Sequence, residues 1–212
     1  MDINKLITDA VSNNLDVSVI SISHIGKGAS GSVYCVECNG KPDKIAVKIS
    51  DHPDLISKEA EMLSFLKEKT GSKIPEVYFF CKVASKGILA MEFIGGVTPS
   101  QKNLWYKSGK KRLAESIIEN LLVIQEAHND KFGPYDNAVY DTWYDYYKEF
   151  AKEIYDFSVL MNSQGKLDST VMKAVEVSYH NLHKILAAGT GKPTLIHGDY
   201  WLPNFIIDKD SM

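Results

Sequence analysis

Apolar and polar positions along this chain change their period more than once, and each change marks an element. Leu6, Ile7, Ala10 and Val11 recur at helical spacing and predict a helix over the first dozen residues. From Val17 to Ile25 the pattern alternates, with Ser18, Ser21 and Ser23 between apolar residues. That alternation suits a strand with one solvated face. Ser32 to Cys38 and Lys44 to Ser50 read as two more strands, joined by Asn39-Gly-Lys-Pro-Asp43, whose Asn-Gly step is a hairpin signal. Helical spacing returns from Pro53 to about Lys69, with Leu55, Ile56, Met62, Leu63 and Leu66 on one broad face. Strands are expected again near Val77 to Val83 and Gly87 to Phe93, after which Gly95-Gly96 and Pro99 mark a hinge or boundary.

From Leu104 to Leu186 the pattern is one of long helices, broken around Gly133-Pro134 and at Gln164-Gly165. Strand character resumes at Thr194 to Ile196 and at Phe205 to Asp208, with a tight His-Gly-Asp turn between them. A β-rich unit with one embedded helix followed by a helical unit with a small hairpin predicts an α+β, two-lobed architecture. The expected lobes are residues 1–94 and 95–212.

Composition narrows the function classes. The chain has 212 residues and a formal net charge of −3, long enough for two small lobes sharing a cleft. No Lys/Arg run suggests a nucleic acid or an anionic membrane as partner. No apolar stretch approaches the roughly 20 residues that cross a bilayer. Met1-Asp-Ile-Asn-Lys-Leu6 lacks the basic-then-apolar order of a signal peptide. Three cysteines, an odd number, argue against a disulfide framework and for a reduced, cytoplasmic location. Cys35-Val-Glu-Cys38 has metal-ligand spacing, yet only Cys81 is left to complete a cysteine site. The pair lies in a strand-like run, where residues three apart face opposite sides. His180 and His183 fall on one helical face without a carboxylate motif, which reads as a solvated helix.

Candidate chemistry begins at Gly26-Lys-Gly28-Ala-Ser30-Gly31-Ser-Val33, which fits G-x-G-x-x-G-x-V at every fixed position. In a dinucleotide-binding fold such glycines open a helix. Here Ser32-Val-Tyr-Cys-Val36 follows, with strand propensity and no helical face. A strand-turn-strand of this kind lets the backbone fold closely over phosphates. Ile45-Ala-Val-Lys48 then puts a lone Lys in an apolar strand. Ala46, on the same face, leaves room for a flat base. A buried ammonium needs a partner. Glu59 shares its helical face with Leu63 and Leu66 and is expected to supply one, whereas Glu61 sits beside Lys58 and is expected in solvent. Finally, Leu195-Ile-His-Gly-Asp199-Tyr-Trp-Leu-Pro-Asn204 puts a carboxylate and an amide on one loop between two strands. Phosphoryl transfer needs such a pair, one group to orient the attacking hydroxyl and one to hold a metal on the phosphates.

Taken together, the Gly26–Val33 loop, Ala46-Val-Lys48, Lys58-Glu-Ala60, Met91-Glu-Phe-Ile-Gly95 and His197-Gly-Asp199 with Asn204 resemble the aminoglycoside phosphotransferase and fructosamine kinase group of the protein-kinase-like fold. The resemblance covers Ile25 to Asp208. His128-Asn-Asp-Lys-Phe-Gly133 leading to Asp141-Thr-Trp143 looks more like the fructosamine kinases. The resemblance implies an ATP-dependent kinase using Mg2+ and acting on a hydroxyl of an amino sugar, ketosamine or aminoglycoside. Gly26, Gly28, Ser30, Gly31 and Val33 would cover the phosphates. Lys48 would bind them and pair with Glu59. Backbone of Glu92 and Ile94 would hold the adenine edge, with Met91 behind it. Asp199 would accept or orient the hydroxyl proton, Asn204 would hold magnesium, and His197 would support the loop.

On the acceptor side, Tyr140 to Phe157 is rich in aromatic residues. Trp143, Tyr147, Phe150 and Ile154 fall at helical spacing and are expected in the core. Tyr144 and Asp145 lie off that stripe and, with Tyr200 and Trp201, are the substrate-contact candidates. Asp136, Asp141 and Asp145 could attract a cationic acceptor.

The chain departs from the family pattern in one respect. The resemblance implies a second metal-binding Asp on the next strand of the hairpin. Asp208 and Asp210, the only carboxylates after Asn204, come too early for it. The helical lobe is therefore expected to be C-terminally incomplete, with turnover reduced by orders of magnitude and restored in a longer chain carrying an apolar-x-Asp strand. The alternatives are a non-catalytic nucleotide-binding remnant of such a kinase, or a fragment exposing apolar surface.

Overall fold

In the computed structural model, residues 2–70, 73–98, 110–187, 191–196, 198 and 204–207 are described. Five strands, β1 (Ser18–Gly28), β2 (Gly31–Asn39), β3 (Lys44–Ser50), β4 (Val77–Val83) and β5 (Lys86–Glu92), make one antiparallel sheet in the order β1-β2-β3-β5-β4. Six helices accompany them: α1 (Ile3–Asn14), α2 (Pro53–Thr70), α3 (Lys110–Gln125), α4 (Trp143–Ser163), α5 (Ser169–His180) and α6 (Leu182–Leu186). Contacts divide the chain into two units, Met1–Ile124 with the described part of His197–Met212, and Gln125–Ile196.

The first unit follows from side-chain alternation. In β2 and β3, Val36, Ile45, Val47 and Ile49 fall on one face and join Ile88 and Ala90 of β5. The amphipathic helix α1 covers this face with Leu6, Ile7, Ala10 and Val11. Asp2 caps α1, its carboxylate accepting from the Asn4 N–H at 2.9 Å, which satisfies an otherwise orphaned donor. The opposite face carries Leu89 and Met91, packed beneath Ile56, Ala60 and Leu63 of α2. Gly87 permits that packing, since a Cβ there would lie 2.8 Å from the Pro53 Cα. Both helices are anchored by fully buried side chains, Ile7 and Val11 in α1 and Ile56 in α2. Truncating Ile7 to Ala should therefore cost about 2–5 kcal/mol through lost burial and a residual cavity. The check is a lowered urea midpoint with an unchanged slope.

The second unit contains α4, α5 and α6. Thr142 caps α4, its hydroxyl accepting from the Asp145 N–H at 3.0 Å. Only half of the apolar stripe expected on α4 is covered. Trp143 and Tyr147 pack within an aromatic group with Phe132 and Tyr146. Phe150 and Ile154 remain 56% and 48% exposed. The packed face runs instead through Tyr147, Ala151, Tyr155 and Ser158, with Tyr155 stacked on Tyr179 of α5 at 4.5 Å. Small side chains at a helix contact let two axes approach, a preference that a search for large apolar residues misses. His180 and His183 also part company with the expectation, because α5 ends at His180 and α6 begins at Leu182.

The expected hairpin at 194–208 is built differently. Thr194 bridges His128 and Ile207 bridges Val97, so among the described residues neither short run pairs with the other. Each run is short, and its partner is set by long-range packing rather than by its own alternation.

Candidate functional site

Cross-strand register decides which side chains share the face away from α1. Lys48 lies opposite Val33 and Leu89, and Ala46 lies opposite Cys35 and Met91. Glycine-hairpin valine, small residue, lysine and Met91 thus occupy one surface. Alternation also brings Cys35 and Leu89 there. Period-two alternation from Val33 and from Met91 places both there, a signal separate from the C-x-x-C spacing of Cys35 and Cys38.

Lys48 meets its expected partner. Its Nζ donates to both carboxylate oxygens of Glu59, at 2.8 and 2.7 Å, while Glu61 is exposed. The Lys48 side chain is 13% exposed and that of Glu59 32%, so the pair is desolvated more than a surface ion pair and its hydrogen bonds are charge-assisted. Among the described residues the ammonium pairs with this one carboxylate. Ala46 is 8% exposed and has no side chain beyond Cβ, which leaves flat space beside it. A triphosphate with its purine fits this donor set: cation, small residue and glycine backbone in succession.

Gly26 and Gly28 of β1 and Gly31 of β2 do different jobs. A Cβ at Gly26 or Gly28 would meet nothing within 4 Å. At Gly31, with φ +145, a Cβ would lie 2.3 Å from the Ile49 carbonyl oxygen, and backbone cannot give way cheaply. Gly31 therefore seats the hairpin on β3. Gly31→Ala is expected to lower stability by about 1–3 kcal/mol, whereas Gly28→Ala leaves the ligand-free melting temperature unchanged. Thermal unfolding of the two variants without ligand checks this contrast.

At the end of β5, Met91 is half-buried against α2. The Glu92 N–H donates to the Glu76 carbonyl at 2.7 Å. Its carboxylate accepts from the Glu76 N–H at 3.1 Å and from Lys67 at 3.4 Å, so the side chain braces the strand end. Ile94 follows, half-buried. Gly96 is required beside it, because a Cβ would sit 2.4 Å from the Ile207 carbonyl oxygen. This close approach, with the Val97–Ile207 bridge, pins the segment carrying Asn204 beside the end of β5. Asn204 is exposed. Gly198 has φ +77, the left-handed conformation that a His-Gly-Asp turn needs glycine to adopt. Ser30 is half-buried at the hairpin tip. His197, Asp199, Tyr200 and Trp201 lie outside the described residues.

In the second unit Tyr144 is 38% exposed. Asp145 is already engaged: one carboxylate oxygen accepts from the Thr142 hydroxyl at 2.6 Å and the other from Lys148 at 3.1 Å. The Thr142 hydroxyl first, then Lys148, hold its carboxyl below the usual range. Lys131 likewise pairs with Asp141. The free acidic surface expected for a cationic acceptor is thus partly neutralised. Cys35 and Cys38 face opposite sides of the sheet, and burial pushes both thiols up. Among the described residues no three His, Cys, Asp or Glu side chains come together as a metal site, and no helix is long and apolar enough to cross a membrane.

Comparison with known proteins adds the family. A model of the phosphotransferase enzyme family, APH, matches residues 21–212. No curated protein matches the chain. Among solved structures, a Haemophilus somnus 129PT protein described as a fructosamine-3-kinase is 15% identical, with TM-score 0.69, over 96% of this chain and 68% of its own. A thermostable mutant of aminoglycoside phosphotransferase APH(4)-Ia, in ternary complex with AMP-PNP and hygromycin B, is 16% identical with TM-score 0.71, covering 99% and 68%. APH(2")-IIa in a ternary complex with streptomycin and ATP is 18% identical with TM-score 0.65, again over 99% and 68%. At such identities the likeness is one of fold. The α+β, protein-kinase-like class expected from the sequence is the class observed, with an antiparallel N-lobe sheet followed by helices.

Proposed function

The chain belongs to the phosphotransferase enzyme family, and from that premise we propose that it transfers the γ-phosphoryl group of ATP to a hydroxyl of a small molecule. The observation that carries this reading is the Lys48–Glu59 pair, held on the sheet face that also presents Val33, Ala46 and Met91. A cation fixed by a carboxylate beneath a glycine hairpin is suited to positioning phosphates, and positioning with charge stabilisation is most of what phosphoryl transfer requires.

In this reading residues 1–94 bind the nucleotide and 95–212 carry the catalytic loop and the acceptor side. Lys48 binds the α- and β-phosphates, and backbone around Gly26, Gly28, Ser30 and Gly31 closes over them. The adenine edge lies along Glu92 and Ile94. The acceptor oxygen bonds to the γ-phosphorus as the bond to the β,γ-bridging oxygen breaks. Asp199 takes the hydroxyl proton, and ADP leaves. Asn204 would hold a magnesium ion, which would supply charge stabilisation on the phosphates. Tyr144, Tyr200 and Trp201 are the acceptor-side candidates, while Asp145, capping α4 and paired with Lys148, is better suited to holding the helix.

The acceptor class is an amino sugar, ketosamine or aminoglycoside. Its fold neighbours support this range, since they include a protein described as a fructosamine-3-kinase and phosphotransferases bound to hygromycin B and streptomycin. A supply of ATP implies a cytoplasmic setting. Calorimetric titration of ATP with and without magnesium tests the reading. Saturable binding that tightens with magnesium supports it. Binding indifferent to magnesium favours a non-catalytic nucleotide binder, and no binding by a folded chain removes the proposal.

A further inference from the structure

On the face of the sheet covered by α1, away from Lys48, an open-sided cavity of about 250 Å³ lies behind the glycine hairpin. Register puts Ser32 opposite Lys27 and Ile49, and Tyr34 opposite Val47, so these side chains point to the α1 side while Val33 points to the other. The cavity's lining includes Lys27, Ser32, Tyr34, Ser50, His52 and Lys86. Its charge is lopsided: two ammonium groups and an imidazole face one carboxylate, Asp51, which pairs with Lys86. Among the described residues Lys27 makes no ion pair. Ser50 reaches the lining at the end of β3, where its oxygen accepts from the His52 N–H at 3.1 Å, but by alternation its side chain belongs to the Lys48 face and is not counted among the donors.

Donors therefore line this cavity from the Ser32 and Tyr34 hydroxyls, an imidazole and an unpaired lysine, beside the single Asp51 carboxylate. A doubly charged oxyanion satisfies this set, since each of its oxygens accepts charge-assisted bonds. A water occupies about 30 Å³ of liquid volume, so the cavity holds a tetrahedral oxyanion with part of an attached group. We propose that this cavity binds a small phosphate-type oxyanion, free or as a phosphomonoester, on the side of the glycine hairpin opposite the nucleotide. Its walls come from β1, β2, β3, the start of β5 and Ile3 of α1, so an occupant ties the hairpin to β3. The inference goes beyond the nucleotide reading and does not depend on it.

The test is calorimetric titration of inorganic phosphate, and separately of glycerol phosphate, into the full chain and into Lys27→Ala, Lys27→Arg and Lys48→Met. Lys27 is exposed, so its substitution leaves the core intact, and matched melting curves check this. Expected are saturable phosphate binding, a loss of about tenfold or more in Lys27→Ala, recovery in Lys27→Arg and no loss in Lys48→Met. Tighter binding of glycerol phosphate identifies a phosphomonoester ligand, and equal binding identifies the free anion. Absence of binding overturns the proposal, as does binding lost in Lys48→Met but kept in Lys27→Ala, which puts the anion on the nucleotide face. If ATP fails to bind while phosphate binds through Lys27, the nucleotide reading fails and this one stands.

Discussion

Lys48→Met is expected to weaken ATP binding by about ten- to a hundredfold, because a charge-assisted contact to phosphate is worth about 1.5–3 kcal/mol. Met keeps most of the aliphatic volume between Val33 and Leu89, so the loss reports charge rather than packing. The same change strands the Glu59 carboxylate, whose side chain is 32% exposed and which accepts two bonds from Lys48. Stability should fall by about 1–3 kcal/mol from that unpaired group. A second substitution separates the two effects. Lys48→Met with Glu59→Leu removes the stranded charge and should recover most of the stability without recovering ATP binding. The cycle isolates the pair's coupling, read from urea midpoints on one side and calorimetry on the other. Recovery of ATP binding in the double variant would show that Lys48 serves the fold and not the nucleotide.

Asp199→Asn is expected to lower turnover by about 10²- to 10⁴-fold, the range for loss of a proton-accepting group, with ATP affinity nearly unchanged. The amide keeps size and polarity but cannot take the acceptor proton. The change should appear in kcat, not in the ATP dissociation constant, and single-turnover measurement distinguishes the two. Equal loss of ATP binding would mean that Asp199 serves nucleotide binding and not proton transfer.

These expectations rest on features of very different legibility. β3 and β4 begin and end at the residues expected from alternation, Lys44–Ser50 and Val77–Val83. Such strands carry their signal in adjacent residues. The Glu59 choice over Glu61 was legible for a related reason, since helical spacing turns Glu59 toward the side of Leu63 and leaves Glu61 in solvent. What escaped depended on partners remote in sequence. Thr194 pairs with His128 and Ile207 with Val97, and nothing within either three- or four-residue run encodes that choice. The α4 face escaped because Ala151 and Ser158 are not apolar bulk, yet the packed side of the helix runs through them beside Tyr155. Phe150, Ile154 and Phe157 are left exposed on its other side. The role of α1 was equally hidden. Its own amphipathicity predicts burial, but only the sheet register shows that it closes the face opposite Lys48. The division of labour among glycines was also hidden in the motif, which treats Gly28 and Gly31 alike although only Gly31 is pressed against the Ile49 carbonyl.

The most direct measurement is transfer of γ-phosphate from labelled ATP, with magnesium, to a panel of ketosamines, amino sugars, aminoglycosides and simple alcohols, with Asp199→Asn alongside. Label is expected to move to the hydroxyl of at least one acceptor, and at a rate about 10²- to 10⁴-fold lower in the Asp199 variant. Label that stays on ATP across the whole panel, in a chain that binds ATP through Lys48, contradicts this expectation and leaves a nucleotide-binding protein without transferase activity.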